Sequence, residues 1–112
     1  MLIQMLQAKI RRAIVTDSNI NYKGSITIDE DLLDELGVLP YQVCDVNSTD
    51  GFRGTTYILA GKRGSGCCEA NGALSLHILK GDIIHINIYC IMSAESAKTH
   101  QPIIIETNLP ST

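Results

Sequence analysis

The first candidates for chemistry are two small residues lying between apolar ones. Gly24-Ser25 follows Tyr22-Lys23 and precedes the β-branched run Ile26-Thr27-Ile28. A serine hydroxyl can attack the carbonyl of a preceding glycine, which presents no side chain to hinder it and tolerates a strained backbone. The same dipeptide also suits a β-bulge or tight bend with no chemistry attached. Further along, Arg53, Thr55 and Tyr57 alternate and in a strand would share one face, with Thr56 on the other. Arginine offers a planar fork matched to a carboxylate, and Tyr57 sets a phenolic proton on the same side. An ordinary solvated strand face is the competing account. Lys9 and Arg11 with adjoining Arg12 make either a solvated basic edge or a cationic site for a small dicarboxylate. Asn71-Gly72 reads as a turn whose amide can also hold a substrate group.

Other combinations fail on spacing. The four cysteines (Cys44, Cys67, Cys68, Cys90) and three histidines (His77, His85, His100) match no common zinc pattern, so no metal is expected. Cys67 and Cys68 are adjacent, which disfavours a structural disulfide between them, and reduced thiols are expected. Gly61 to Gly66 contains Lys62 and Arg63 but lacks the order of a phosphate-binding loop.

The elements that must position these residues are mostly short strands. Leu2 to Thr16 alternates loosely, with Leu6, Ala8 and Ile10 opposite Gln7, Lys9 and Arg11. Asp17-Ser18-Asn19 reads as a turn, and extended chain resumes from Tyr22 to Ile28 with Lys23-Gly24-Ser25 as a polar break. Asp29 caps a short helix carrying Leu32, Leu33 and Leu36, which Gly37 ends and Pro40 bars from continuing. Strands follow at Tyr41–Asn47 and Phe52–Ala60, joined through Asp50-Gly51, and a short one at Cys67–Ala70. Ala73 to Leu79 forms one or two helical turns, and Lys80-Gly81-Asp82 turns again. Ile84, Ile86, Ile88 and Cys90 alternate with His85, Asn87 and Tyr89 in the strongest strand pattern of the chain. A small helix at Ala94–Lys98 and a strand at Ile103–Glu106 complete it. Many short strands with little helix imply a mainly β, compact barrel with an aliphatic core, since the chain has four Tyr, one Phe and no Trp.

Size and charge narrow the function classes. A chain of 112 residues fits a single domain spanning 1–112. Nine basic against twelve acidic side chains give a net charge of -3, opposite to the balance of a protein that binds phosphate backbones. Nucleic acid is therefore not an expected partner. Lys9, Arg11 and Arg12 follow the first apolar stretch instead of preceding it, unlike a secretory leader. No apolar run approaches the roughly 18 residues that span a bilayer. No membrane association and a cytoplasmic location are expected.

Taken together, MLQAKI (Met5 to Ile10), NYKGSITID (Asn21 to Asp29), RGTTY (Arg53 to Tyr57), NGA (Asn71 to Ala73) and KGDII (Lys80 to Ile84) resemble the pyruvoyl-dependent aspartate decarboxylase family in order and spacing. The resemblance runs from Met5 to about Pro102. It implies a six-stranded double-psi β-barrel with short helices, assembled as a homotetramer with active sites between subunits. It implies decarboxylation of L-aspartate to β-alanine for pantothenate synthesis, with a covalent pyruvoyl group derived from Ser25 as cofactor. That group would arise by autocatalytic cleavage between Gly24 and Ser25, giving fragments 1–24 and 25–112. Cleavage that is spontaneous and cleavage helped by a maturation factor both fit. By the same resemblance Lys9 and Arg53 bind the two substrate carboxylates, with Asn71, Gly72 and Ala73 around the substrate. Tyr57 is the proton donor, Tyr22 has a supporting role, and Thr56 assists cleavage. The chain departs from the common family pattern at Arg11, where histidine is frequent, and at Leu74 and Ser75, where alanines are. Two other readings are a catalytically silent relative acting as a binding or regulatory module, and a swapped-hairpin DNA-binding module. The latter rests on Gly24 to Val38, but Asp29, Glu30, Asp31, Asp34 and Glu35 make that segment acidic.

Overall fold

Ile84, Ile86 and Ile88 are fully buried while His85, Asn87 and Tyr89 between them are half-buried, so the period-2 pattern becomes a strand with one face in the core. The computed structural model describes residues 1–22 and 24–106; Lys23, part of the expected polar break, lies outside the described residues. The strands are β1 (Leu2–Ile14), β2 (Asp17–Asn19), β3 (Ser25–Asp29), β4 (Val43–Ser48), β5 (Arg53–Gly61), β6 (Cys68–Asn71), β7 (Ile83–Ser93) and β8 (Ile103–Glu106). Two short helices, α1 (Glu30–Leu36) and α2 (Ala94–Ala97), and one 3-10 helix (Gly72–Leu76) interrupt them. The protein is mainly β, as its strand patterning predicts. Hydrogen bonding joins the strands in the order β2-β6-β3-β5-β4-β7-β1-β8. The neighbours β1/β8, β2/β6 and β3/β5 run parallel, and the other adjacent pairs antiparallel.

The core is aliphatic. Ile10, Ile26, Ile28, Ile58 and Ile78 pack with Ile84, Ile86 and Ile88 of β7 and with Leu33, Leu36, Val15 and Val46 in one cluster. Each such side chain stabilises the fold by roughly 1.5–3 kcal/mol relative to exposure. The register of β1 against β7 shifts between Leu6 and Ala8 and again between Ile10 and Ala13. At the second bulge Arg12 adopts φ 56°, so Arg11 and Arg12 are both exposed.

Asp17–Asn19 is a correction to the sequence reading: it is a strand, not a turn. Its residues pair in parallel with Glu69, Ala70 and Asn71, and this distant backbone pairing overrides the local turn propensity of Asp, Ser and Asn. The extended segment near Ser25 is also shorter than expected. Tyr22 lies in a turn, with the Gly24 N–H donating to the Tyr22 carbonyl at 2.9 Å, and β3 begins only at Ser25.

The α1 boundaries follow the expected chemistry. Asp29 Oδ1 accepts the Asp31 N–H at 2.9 Å, and Gly37 closes the helix at φ 71°. The Asp29 carboxylate also accepts the N–H groups of Gly64 (3.1 Å) and Gly66 (2.8 Å), tying the 61–66 loop to the helix start. The Gly66 bond is the largest of the effects that hold this carboxyl below its ordinary pKa of 3.8. Asp29→Ala is therefore expected to lower Tm by about 5 °C near neutral pH. A depressed folded-state pKa contributes stability above the unfolded value and loses it as pH falls through the folded one. The wild-type advantage over Asp29→Ala should thus shrink below pH 3.8, and paired thermal melts in neutral and acidic buffer check it. Glu30, Asp31 and Asp34 surround Arg63 at 2.6–3.4 Å, an acidic surface unlike one that binds phosphates. Among the described residues no helix is long and apolar enough to cross a membrane.

Candidate active site

The main chain turns sharply where β3 begins. Gly24 has φ 77° and Ser25 has φ 102°, a left-handed conformation that glycine adopts freely and serine only at a cost. Ser25 is nevertheless buried, at 2% exposure, so the surrounding structure holds the strain in place. The antiparallel pairing of β3 with β6 sets Ser25 opposite Asn71. The buried Asn71 amide donates to Ser25 Oγ at 3.2 Å and to Thr27 Oγ1 at 2.9 Å. Asn71 thereby fixes the hydroxyl oxygen beside the 24–25 peptide.

Gly72 brings the next turn against that peptide. It has φ 63°, and a Cβ there would be driven into the Gly24 backbone nitrogen and would lie 2.6 Å from Gly24 Cα and 2.9 Å from the Tyr22 carbonyl oxygen. Only glycine satisfies both the angle and the approach. Ser75 follows in the 3-10 helix and donates to the Gly72 carbonyl at 2.6 Å, so the departure from alanine at this position is buried and hydrogen-bonded.

A cavity of about 390 Å³ opens beside this arrangement. Gly24, Ser25, Thr56, Asn71 and Ala73 line it, so five of the expected site residues converge there. Thr56 faces inward because it alternates with exposed Arg53, Thr55 and Tyr57 on β5. Phe52, Gly54, Thr55, Leu74, Leu76 and His77 complete the lining. Leu74 packs against the core while bordering the cavity. A second cavity, about 210 Å³ beside α1, is bordered by Asp29, Asp31 and Glu35, carboxylates that would repel an acidic ligand.

Lys9, Arg53 and Tyr57 do not line the Ser25 cavity of their own chain. Strand register sets Lys9 across from Asn87, Asn87 across from Asp45, and Asp45 across from Thr55, one row over four strands. Arg53 stands in the next row with Asn47 and His85. Both cations therefore share one polar face, opposite to the side from which Thr56 reaches the cavity. Arg53 Nε donates to Asn47 Oδ1 at 3.1 Å, and Thr55 Oγ1 donates to Asp45 Oδ1 at 2.7 Å. The positive cluster is felt locally. His85, whose Nδ1 accepts the Arg12 N–H at 3.1 Å, has its pKa lowered by partial burial and then by Lys9, Arg11 and Arg12. Asn87 Oδ1 is the one buried side-chain N or O atom among the described residues without a hydrogen-bond partner. Tyr57 borders a separate recess with Asn21, Tyr22, Tyr41 and Leu59, which joins it to Tyr22.

Sequence reading alone missed Phe52 and His77 in the cavity wall and Asn47 beside Arg53. The signal for Phe52 was Gly54: a Cβ there would lie 2.8 Å from the Phe52 ring. The other two depend on pairing between distant segments.

Comparison with known proteins gives the family. A family model described as aspartate decarboxylase matches residues 1–110. The aspartate 1-decarboxylase of Bacillus licheniformis is 47% identical over 105 residues, covering 93% of this chain and 83% of that protein. Those of Caldicellulosiruptor saccharolyticus and Caulobacter vibrioides are 46% and 44% identical over 106 residues, covering 94% of this chain and 83% and 90% of theirs. A strained glycine–serine peptide gripped by a buried asparagine, within a match along nearly the whole sequence, makes the chain a member of the aspartate decarboxylase family.

Proposed function

We propose that this chain removes the α-carboxyl group of L-aspartate as carbon dioxide, forming β-alanine for pantothenate synthesis, after cutting itself between Gly24 and Ser25 into 1–24 and 25–112. The observation that carries this reading is the pair of positive φ angles, 77° and 102°, at a buried serine whose Oγ is already held by Asn71. Strain raises the ground state of the peptide that must break.

In maturation, Ser25 Oγ adds to the Gly24 carbonyl carbon and the C–N bond breaks, leaving an ester and a free amine on residue 25. Loss of the residue 25 α-proton then expels the Gly24 carboxylate. Water hydrolyses the remaining dehydroalanine to a ketone, releasing ammonia. Thr56, bordering the cavity with Gly24 and Ser25, is the hydroxyl assigned to the oxyanion of the first step. The site fits such a group: the missing Cβ of Gly72 leaves room at Gly24, and Asn71 holds the Ser25 oxygen.

The pyruvoyl group supplies an electrophilic ketone and a sink for the electron pair left when carbon dioxide departs. Lys9 and Arg53 bind the substrate carboxylates. With Nε engaged by Asn47, the Arg53 fork keeps both terminal nitrogens for a carboxylate. Tyr57 delivers the proton to the former α-carbon, while Tyr22, Asn71, Gly72 and Ala73 hold the reacting end.

Because Lys9 and Arg53 face away from the cavity of their own chain, the site is assigned to the junction between copies in a homotetramer. Exposed Tyr41, Val43 and Ile91 give apolar surface for that assembly. A cytoplasmic location belongs to the same proposal. It is supported by four free cysteines, of which buried Cys44 and Cys68 have thiol pKa values raised to about 12, chiefly by burial.

Intact-mass analysis of purified protein under denaturing conditions tests the proposal. Two polypeptides divided after residue 24 are expected, the larger lacking the Ser25 amine and reacting with borohydride. A single full-length species that turns aspartate over would refute it. Arg53→Ala should still be cut but should raise KM for aspartate by about tenfold or more; an unchanged KM removes Arg53 from carboxylate binding.

A further inference from the structure

The Ser25 cavity has two kinds of lining: small polar residues, Ser25, Thr56 and Asn71, and bulky ones, Phe52, Leu74 and His77. The Phe52 and His77 rings stack with centroids 4.6 Å apart and planes inclined by 10°. Phe52 is anchored at its backbone: its N–H donates to Ser48 Oγ at 3.1 Å, and its carbonyl accepts the Ser48 N–H at 2.9 Å. Its ring covers Gly54 so closely that a Cβ there would lie 2.8 Å away, and it packs on the core. The His77 main chain is held by its N–H, which donates to the Leu74 carbonyl at 3.1 Å, while its side chain is exposed and meets Phe52 through the stack. Phe52 and Leu74, packed on the core, resist displacement by a longer ligand through overpacking.

We propose that Phe52, stacked on His77 and backed by Leu74, limits the length of substrate side chain that the cavity admits, selecting the four-carbon acidic amino acid over its five-carbon homologue. The inference rests on the functional reading above and names the feature that sets its substrate class. Neither ring supplies a charge or proton to the reaction; both act by occupying space. One excess methylene in a hydrophobic pocket changes relative rates by about 10- to 200-fold.

The test compares kcat/KM for L-aspartate and L-glutamate in wild type, Phe52→Ala and His77→Ala, each first shown by mass to be cut. Phe52→Ala should shift the ratio toward glutamate by about tenfold or more. His77→Ala, which removes the stacking partner from an exposed position, should shift it the same way by about threefold. If Phe52→Ala does not fold, His77→Ala carries the test. Equal losses on both substrates, or an unmoved ratio, overturn the wall while leaving aspartate decarboxylation intact. Cut wild-type protein that releases no carbon dioxide from aspartate overturns the functional reading, and this inference with it.

Discussion

Ser25→Ala should purify as one uncut, folded polypeptide that releases no carbon dioxide from aspartate, a loss of at least about 10⁴-fold in turnover. Alanine has no oxygen with which to open the Gly24 carbonyl, and no other hydroxyl occupies that position. The fold should tolerate the change. Asn71 keeps its bond to Thr27 Oγ1 at 2.9 Å, and alanine bears a left-handed backbone no worse than serine does. A stability change within about 1 kcal/mol is expected. Denaturing mass analysis and carbon dioxide release measure the two outcomes, and normal turnover by this variant would remove the pyruvoyl assignment.

Gly72→Ala should slow cleavage by at least about 100-fold and destabilise the uncut chain by about 2–4 kcal/mol. Its new methyl group meets the backbone of Gly24 and Tyr22, which cannot swing aside as a side-chain tip would. The scissile peptide must move, and with it the geometry that strains it. Gly51→Ala separates the two contributions. Gly51 has φ 99° but no heavy atom within 4 Å of a Cβ there, so that variant carries only the conformational cost and should be cut at the wild-type rate. The half-life of the uncut band, followed by mass beside thermal melts, decides the matter. Equal cleavage rates for the two variants would show that close approach at Gly72 is irrelevant to maturation.

What could be read from the chain beforehand was what depends on neighbours in sequence. The alternation of β7, the Asp29 cap and the Gly37 stop of α1 are local effects, and each element forms as its pattern predicts. The inward turn of Thr56 against Arg53 and Tyr57 follows from strand pleating alone. Asp17–Asn19 did not yield to the same reasoning because its pairing partners, Glu69 to Asn71, are about fifty residues away. The common face of Lys9 and Arg53 likewise requires four strands in register, and the Phe52–His77 stack requires the hairpin before β5 to meet the 3-10 helix. Chemistry-bearing types could be named from sequence; their separation into a cavity and an outer polar face could not.

The position of β1 has an implication for the order of events. This strand belongs to the shorter product of a 24/25 break, yet it lies inside the sheet, bonded to β7 on one side and β8 on the other. The severed piece would stay clamped by those two ladders, with no covalent tether. After complete denaturation it would have to find its partner by diffusion, a second-order encounter in place of a closing loop. The strain at Ser25 belongs to the assembled sheet, so the proposed scission would follow assembly. On the proposed cleavage, maturation would be a one-way passage: the uncut chain folds as a single molecule, and the mature protein would regain that shape only by a slower encounter of two.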